Sequence, residues 1–483
     1  MALFGNTGKK TAVKRRPQSP VNANTAPRRR SPQDVRQGGR PQLASQRRPI
    51  SGNSRPQQKP SVQGAVRPQQ RQQAAIKRTP EKKENGLLDD FKIDRKADTA
   101  ALKGRKYFEY NIRQKFDFSF FLVVIILLAF GLVMLFSATY ASAKLSADSN
   151  YDSFYYINRQ LIFAGIGIVV MIVASFVDYH LFMNKFIIKL AALISVGLVL
   201  LTKVIGTTMG GAQRWLRIGE ITIQPSEILK FVTIMIIAEY MQRNYDKLAD
   251  FRRGFFPILL RIGIACGLVL FQPHISGTVI LFLMSICMLC IGGAKGSHLL
   301  IIGVGVLALG LLILVVFPAL GFDYVNTRLL SWRDPEADIQ NKTFQTYQSL
   351  VTIGSGGIFG QGLGNSRQKY SYLPVTENDF IFPVIVEELG FVGAMFVILL
   401  FVILIVRGFY IAANAPDKFG MLLCSGIVIQ LGIQAFLNIA VTTNAIPNTG
   451  VSLPFISYGG TALLMQLGEI GIVLNISRKA ALQ

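Results

Sequence analysis

Charge is the scarcest property over most of this chain. Only 16% of its 483 residues are Asp, Glu, Lys or Arg, against 51% hydrophobic, which is too apolar for an ordinary soluble globule of this length. Cysteine is nearly absent. Cys266, Cys287, Cys290 and Cys424 each sit inside an apolar run, out of reach of an oxidant, so no disulfide framework is expected. Cys287 and Cys290 spell C-x-x-C, but no second pair or histidine cluster follows at ligand spacing. They therefore read as small apolar residues of a membrane helix rather than a zinc or redox site. The three histidines, His180, His274 and His298, are too scattered to make a metal site by themselves. No cleavable signal peptide is visible, because the first apolar run begins only at Phe118, and that run is expected to remain as a membrane helix.

What charge there is lies mostly at one end. Before residue 117 there are 28 lysines and arginines against 8 acids, which carries 20 of the formal net charge of +24. Residues 1 to about 85 are rich in Arg, Gln, Pro and Ser and poor in aromatics, so they cannot bury enough apolar surface to offset the entropy of ordering. Residues 1–116 are expected to form a disordered basic tail, with a short interfacial helix near its end, around 87–117. Beside a membrane, such a tail is better matched to anionic head groups or acidic partner proteins than to nucleic acid.

From Phe118 onward the sequence predicts an all-α membrane domain, residues 117–483, with helices near 118–139, 160–177, 186–204, 225–241, 256–271, 276–292, 298–317, 381–406, 419–440 and 456–476. Arg243, Lys247, Arg252, Arg253, Lys295, Arg407, Lys418, Arg478 and Lys479 fall on the same face as the tail, which makes that face, and both termini, cytoplasmic. The opposite face then receives the segments 204–224, 272–276, 318–380 and 441–455. The third is long enough, as a structureless loop, to suggest function. The glycine-rich run at 354–364 follows no strand and so fits close chain packing or a re-entrant turn, not a nucleotide site.

Three polar clusters stand out at or near membrane depth, where polar groups are costly and usually serve a substrate path or a catalytic site. The first is Arg214-Trp215 with Gln224-Pro225-Ser226-Glu227 and Lys230. Glu227 and Lys230, three apart, share a helix face, as substrate ligands or as an ion pair that only fixes packing. The second runs through Asp334, Asp338, Gln345, Gln348, Ser349, Ser366, Arg367, Lys369, Asp379, Glu387 and Glu388. Acids beside cations suit a phosphate-bearing substrate, but a solvent-facing acidic loop would look the same. The third, Asn438, Asn444, Pro447, Gly450, Pro454 and Ser457-Tyr458-Gly459-Gly460-Thr461, is irregular between two apolar helices and should line a cavity.

Taken in order, these stretches resemble the SEDS family (shape, elongation, division and sporulation), whose best-known members are FtsW and RodA. The resemblance covers about 118–478 and rests on R-W with Q-P-S-E-x-x-K at 214–230, D-P-x-x-D at 334–338, Q-S-L and the glycine-rich run through Ser366-Arg367-Gln368-Lys369, Y-L-P at 372–374, D-F-I-F at 379–382, E-E-L-G at 387–390 and P-F-I-S-Y-G-G-T at 454–461. It implies a ten-helix peptidoglycan glycosyltransferase of the bacterial cytoplasmic membrane that polymerises lipid II on the outer face, beside a class B penicillin-binding protein. By the same resemblance Asp338 is the essential acid, while Arg214, Glu227, Lys230 and Arg159 line the cavity. Gln348, Ser349, Arg367, Lys369 and Ser457 join them as expected substrate contacts. No cofactor is certain. A divalent cation such as Mg2+ or Mn2+ could bridge phosphate oxygens and a carboxylate, but no sequence pattern fixes one.

The chain departs from the family pattern at His274, where an acid is common, at Asn444, where glycine is common, and at Val375-Thr376-Glu377-Asn378, which lacks a frequent histidine. Two rival readings stay open: a lipid II flippase or other transporter, since buried ions and broken helices also serve transport, and a non-catalytic scaffold for the synthase. The long tail favours the division type, located at the septum, through docking to other division or elongation proteins.

Overall fold

With no water to bond to, an apolar segment at membrane depth satisfies its backbone only as a helix or a closed barrel. Among the described residues every apolar segment long enough to span takes the helix. The computed structural model describes residues 116–146, 149–209, 212–219, 221–272, 274–305, 323–366 and 377–480. The expected tail, its interfacial helix and residues 306–317 of the seventh expected helix lie outside them.

The helices are α1 (Phe118–Leu145), α2 (Tyr155–Phe176), α3 (Lys185–Ile205), α4 (Pro225–Arg243), α5 (Phe256–Phe271), α6 (Ile275–Ile291), α7 (Gly296–Gly305), α8 (Asp323–Arg333), α9 (Phe344–Gly356), α10 (Ile381–Ala413), α11 (Lys418–Thr442) and α12 (Gly460–Lys479). Among the described residues, seven helical segments are long and apolar enough to cross a membrane: α1, α2, α3, α5 with the π-helical turn Phe251–Phe255 that leads into it, α10, α11 and α12. The chain is a multi-pass membrane protein. Helix α4 does not meet that measure because it carries Glu227, Lys230 and Glu239, and α6 has only 17 residues.

Side-chain caps set several of the starts. Asp117 accepts from the Phe120 N–H (2.9 Å), Asn184 from Phe186 (2.9 Å) and Asp417 from Gly420 (2.7 Å). Helix α11 forms the centre of the bundle, 83% buried in its most apolar window, whereas α3 is 22% buried there and lies at the rim. Helix α2 packs along α12 at close range: a Cβ at Gly471 would come within 2.4 Å of the Met171 carbonyl oxygen.

Two expectations need correction. The segment 318–380 is not structureless, because it holds α8 and α9. The 204–224 connection folds into an antiparallel three-stranded sheet, β1 (Thr207–Met209), β2 (Ala212–Ile218) and β3 (Ile221–Ile223), with Thr207 opposite Trp215 and Leu216 opposite Ile223. The glycine-rich run packs closely against α10, at a point where that helix is interrupted. At Gly390 (φ +69°) that helix breaks, and the N–H groups of Phe391 and Val392 donate to the Gly357 and Ile358 carbonyls (2.9 and 3.2 Å). The Glu387 and Glu388 carbonyls are taken by the N–H groups of Gln361 and Gly362, both at 2.9 Å. The inserted loop thus repairs a broken helix that lipid could not. The buried Glu388 carboxylate accepts from Ser137 Oγ at 2.8 and 2.7 Å, and Glu387 accepts from Ser366.

One end of the bundle is tied by ions. Arg407 Nη2 lies 2.7 Å from Asp117, Lys479 Nζ lies 2.7 Å from Asp178, and the His180 ring bridges Asp178 (2.7 Å) and Asp417 (3.0 Å). Burial lowers the His180 pKa, but hydrogen bonds to Asp417 and Asp178 outweigh it and raise the ring above its ordinary 6.5. The clasp's contribution is therefore full below 6.5 and lost as pH rises through the folded value. Wild-type protein in detergent should lose roughly 0.5 kcal/mol of stability between mildly acid and mildly alkaline pH, the size of a screened, part-exposed pair. Thermal melts of His180→Gln should lack that fall, and an identical pH slope in the variant would exclude the clasp.

Candidate active site

The other end collects the polar segments. Trp215 and Arg217 alternate on β2 with Arg214 and Leu216, and Leu216 is buried, so Arg214 shares the inward face. Pro225 opens α4, and one turn in, Glu227 and Lys230 meet at 2.8 Å. Lys230 is 1% exposed, and its Nζ also donates to Gln434 of α11 at 3.4 Å. Gln434 in turn donates to the Ser452 carbonyl and hydroxyl at 3.2 and 3.3 Å. Deeper in the bundle, the buried Glu469 of α12 accepts from Gln430 Nε2 at 3.2 and 3.1 Å, and it interacts electrostatically with Lys230 and Glu227.

His274, in the turn before α6, belongs to the same cluster. Burial first, then the charges of Arg214 and Lys230, push its imidazole down to about 3, so the ring is neutral at physiological pH. Where an acid would have offset those cations, this chain leaves their positive field in place. Asp379, in the turn before α10, interacts with Arg214 and with Arg328 of α8. Asn438 Nδ2 holds the Asp379 carbonyl at 2.8 Å and the Val451 carbonyl at 2.6 Å, and Ser276 donates to the Gly450 carbonyl at 3.0 Å.

The expected site residues divide into groups. Arg214, Glu227 and Lys230 come together. Ser349, fully buried, donates to the Thr442 carbonyl (2.7 Å) and joins α9 to α11, and Gln348 sits beside it, half-buried. Ser457 accepts from the Leu453 N–H (2.8 Å) and donates to the Asn378 carbonyl (2.6 Å), joining the 443–459 segment to the turn before α10. Arg159 stacks over Tyr155 at 4.3 Å and hydrogen-bonds Tyr458. Asp338 lies in the half-exposed turn between α8 and α9. Its Oδ1 accepts from Asn341 Nδ2 (3.2 Å) and its Oδ2 from the Lys342 N–H (3.3 Å). Trp332 of α8 and Ser349 of α9 bond to Asn444 and Thr442, so this loop sits at the same end as the cluster. Arg367 and Lys369 lie outside the described residues.

Asn444 has φ +58°, a left-handed conformation that asparagine tolerates nearly as glycine does, and its amide donates to the Trp332 carbonyl at 3.1 Å. That explains how asparagine stands where glycine is common. Among the described residues no group of three or more His, Cys, Asp or Glu side chains gathers as a metal site. Arg328, Gln430, Gln434 and Glu469 belong to none of the three polar clusters legible in the sequence. The signal available for the last three was a polar residue inside an apolar helix.

Comparison with known proteins fits this arrangement. The family model FtsW/RodA/SpoVE, described as "Cell cycle protein", matches residues 117–482. The chain is 37% identical over 364 residues to the stage V sporulation protein E of Bacillus subtilis, covering 75% of this chain and 97% of that protein. It is 36% identical over 376 residues to a "Probable peptidoglycan glycosyltransferase FtsW" of the same organism, covering 75% and 91%. A structure described as the structural coordination of polymerization and crosslinking by a peptidoglycan synthase complex superposes with a TM-score of 0.62 at 26% identity, covering 76% of this chain and 99% of that one. The rod shape determining protein RodA of Thermus thermophilus superposes with a TM-score of 0.55 at 25% identity, covering 76% and 98%.

Proposed function

We propose that this chain, which belongs to the FtsW, RodA and SpoVE family of cell cycle proteins, is a glycosyltransferase that polymerises lipid II into glycan strands at the outer face of the bacterial cytoplasmic membrane. The observation that carries this reading is a gathering of cations, the buried Lys230 at 1% exposure with the half-buried Arg214 and Arg328, beside carboxylates at the end of the bundle that also holds the Asp338 loop. Buried positive charge at membrane depth matches a lipid-linked diphosphate, an anion that cannot leave the bilayer.

In the proposed reaction the 4-hydroxyl of the acceptor's GlcNAc attacks C1 of the donor's MurNAc. A new C1–O4 bond forms with inversion while the C1–O bond to the diphosphate breaks. Asp338 takes the hydroxyl proton and passes it to solvent, and undecaprenyl diphosphate leaves carrying the bond's electron pair. Arg214 and Lys230, with Arg367 and Lys369, stabilise the charge that develops on it. The partner is a class B penicillin-binding protein that cross-links the product, and the basic tail favours a division role in contact with septal proteins.

The direct test is to supply lipid II to the chain purified with its co-eluting transpeptidase. Glycan polymer and a shrinking donor pool are expected. Movement of intact lipid II across vesicles without polymer would replace the reading with transport, and neither activity would favour a scaffold.

A further inference from the structure

We propose that the cavity between α3, α4 and α5 binds an anionic phospholipid of the surrounding bilayer, with an acyl chain in the cavity and the phosphate head group on Arg261.

The cavity holds about 150 Å³ and is walled by three helices, with Val196 from α3, Leu229 and Ile236 from α4, and Ala265 from α5. An apolar cavity of roughly that size stays dry and accepts a hydrocarbon guest as large as benzene. Two hydroxyls also border it, but each is bonded within its own helix. Ser195 Oγ donates to the Ala192 carbonyl at 2.9 Å and Thr233 Oγ1 to the Leu229 carbonyl at 2.8 Å, which leaves the walls apolar in effect. Such walls gain dispersion contacts from a chain that packs against them. Entry lies on the lipid side, because α3 is at the rim of the bundle and Ile264, also in the lining, is 57% exposed.

Arg261 is the charged residue of that lining, and it is exposed near the start of α5. Among the described residues its guanidinium makes no ion pair or hydrogen bond; it stacks over the Tyr240 ring at 4.4 Å. The ring itself is held by its hydroxyl, which donates to the Gly254 carbonyl at 2.8 Å. A guanidinium stacked in this way keeps its N–H edge for an anion. Lys189, exposed near the start of α3, precedes Ala192 by three residues and Val196 by seven, so it falls on the stripe of α3 that lines the cavity. Both helices start at the end of the bundle tied by ions, away from the candidate active site. Two cations therefore stand between the cavity and the head-group level of that leaflet, which fits an acyl chain joined to a phosphate better than a neutral hydrocarbon. Leu229 adjoins Lys230 in sequence, so a seated chain braces the helix that presents that lysine.

The test uses the full chain purified in detergent and titrated with phosphatidylglycerol or with phosphatidylcholine of the same acyl chains. Native mass spectrometry counts the lipid retained, and thermal melts follow stability. Wild type should hold one phosphatidylglycerol roughly tenfold or more tightly than phosphatidylcholine and melt higher as it is added. Arg261→Gln should lower that preference by roughly fivefold, the share of one cation beside an anionic lipid. Val196→Phe, which fills the cavity from α3, should lose the tightly held lipid through its chain rather than its head group, so the two variants check the two halves of the site separately. A wild type that holds both lipids equally, Arg261→Gln with an undiminished preference, or Val196→Phe that still retains phosphatidylglycerol overturns the proposal.

Discussion

Replacing Asp338 by asparagine is expected to lower glycan synthesis from lipid II by roughly 10²–10⁴-fold, the range a positioned general base contributes, while leaving the protein folded. The two halves of that expectation rest on different observations. Asp338 sits in a half-exposed turn, and its carboxylate accepts from Asn341 and Lys342, so an isosteric amide keeps one acceptor and disturbs little. A loss within about 1 kcal/mol of stability is the appropriate scale for such a surface change. The amide cannot take the proton of an attacking hydroxyl, however. Polymer formation by purified Asp338→Asn with its partner synthase checks the first half and a thermal melt checks the second. Full-rate polymer would remove the proposed role. A cysteine at 338 that a membrane-impermeant reagent reached only from inside the cell would remove it more completely, because the substrate sugars would then be on the other side.

The apolar helices were legible because lipid imposes a simple rule on sequence, and helical segments lie at all ten expected positions as far as the described residues extend. Their ends were less so. Helix α1 continues past 139 to Leu145 and α10 past 406 to Ala413, since Lys144 and Arg407 interrupt the apolar run without breaking the helix. Helix α8, with Asn326, Thr327, Arg328 and Arg333 in eleven residues, has no apolar stripe by which to be found. The ion pair of Glu227 and Lys230 followed from spacing, because i and i+3 share a face. Glu469 and Gln430 did not, since each is a single polar residue inside a long apolar segment. The approach of Arg328 to Asp379 is tertiary and leaves no local periodicity to read.

Lys230→Met is expected to cost about 3–5 kcal/mol, the penalty for removing one partner of a buried ion pair. That is a large share of the roughly 5–15 kcal/mol by which a native protein is stable. The methionine fills the volume, but Glu227 loses its 2.8 Å partner, Gln434 loses a donor, and Glu469 loses the cation whose charge it feels. Less folded protein in the membrane and a lower thermal midpoint in detergent should result. The double variant Glu227→Gln with Lys230→Met neutralises both ends of the pair, so most of the lost stability should return, because matched neutral groups spare the burial of a lone charge. Activity should not return with it, since no cation then stands at the head of α4 to meet the diphosphate. A double variant that regained both the melting temperature and glycan synthesis would assign Lys230 to packing alone. Regained stability without glycan synthesis assigns its charge to the substrate.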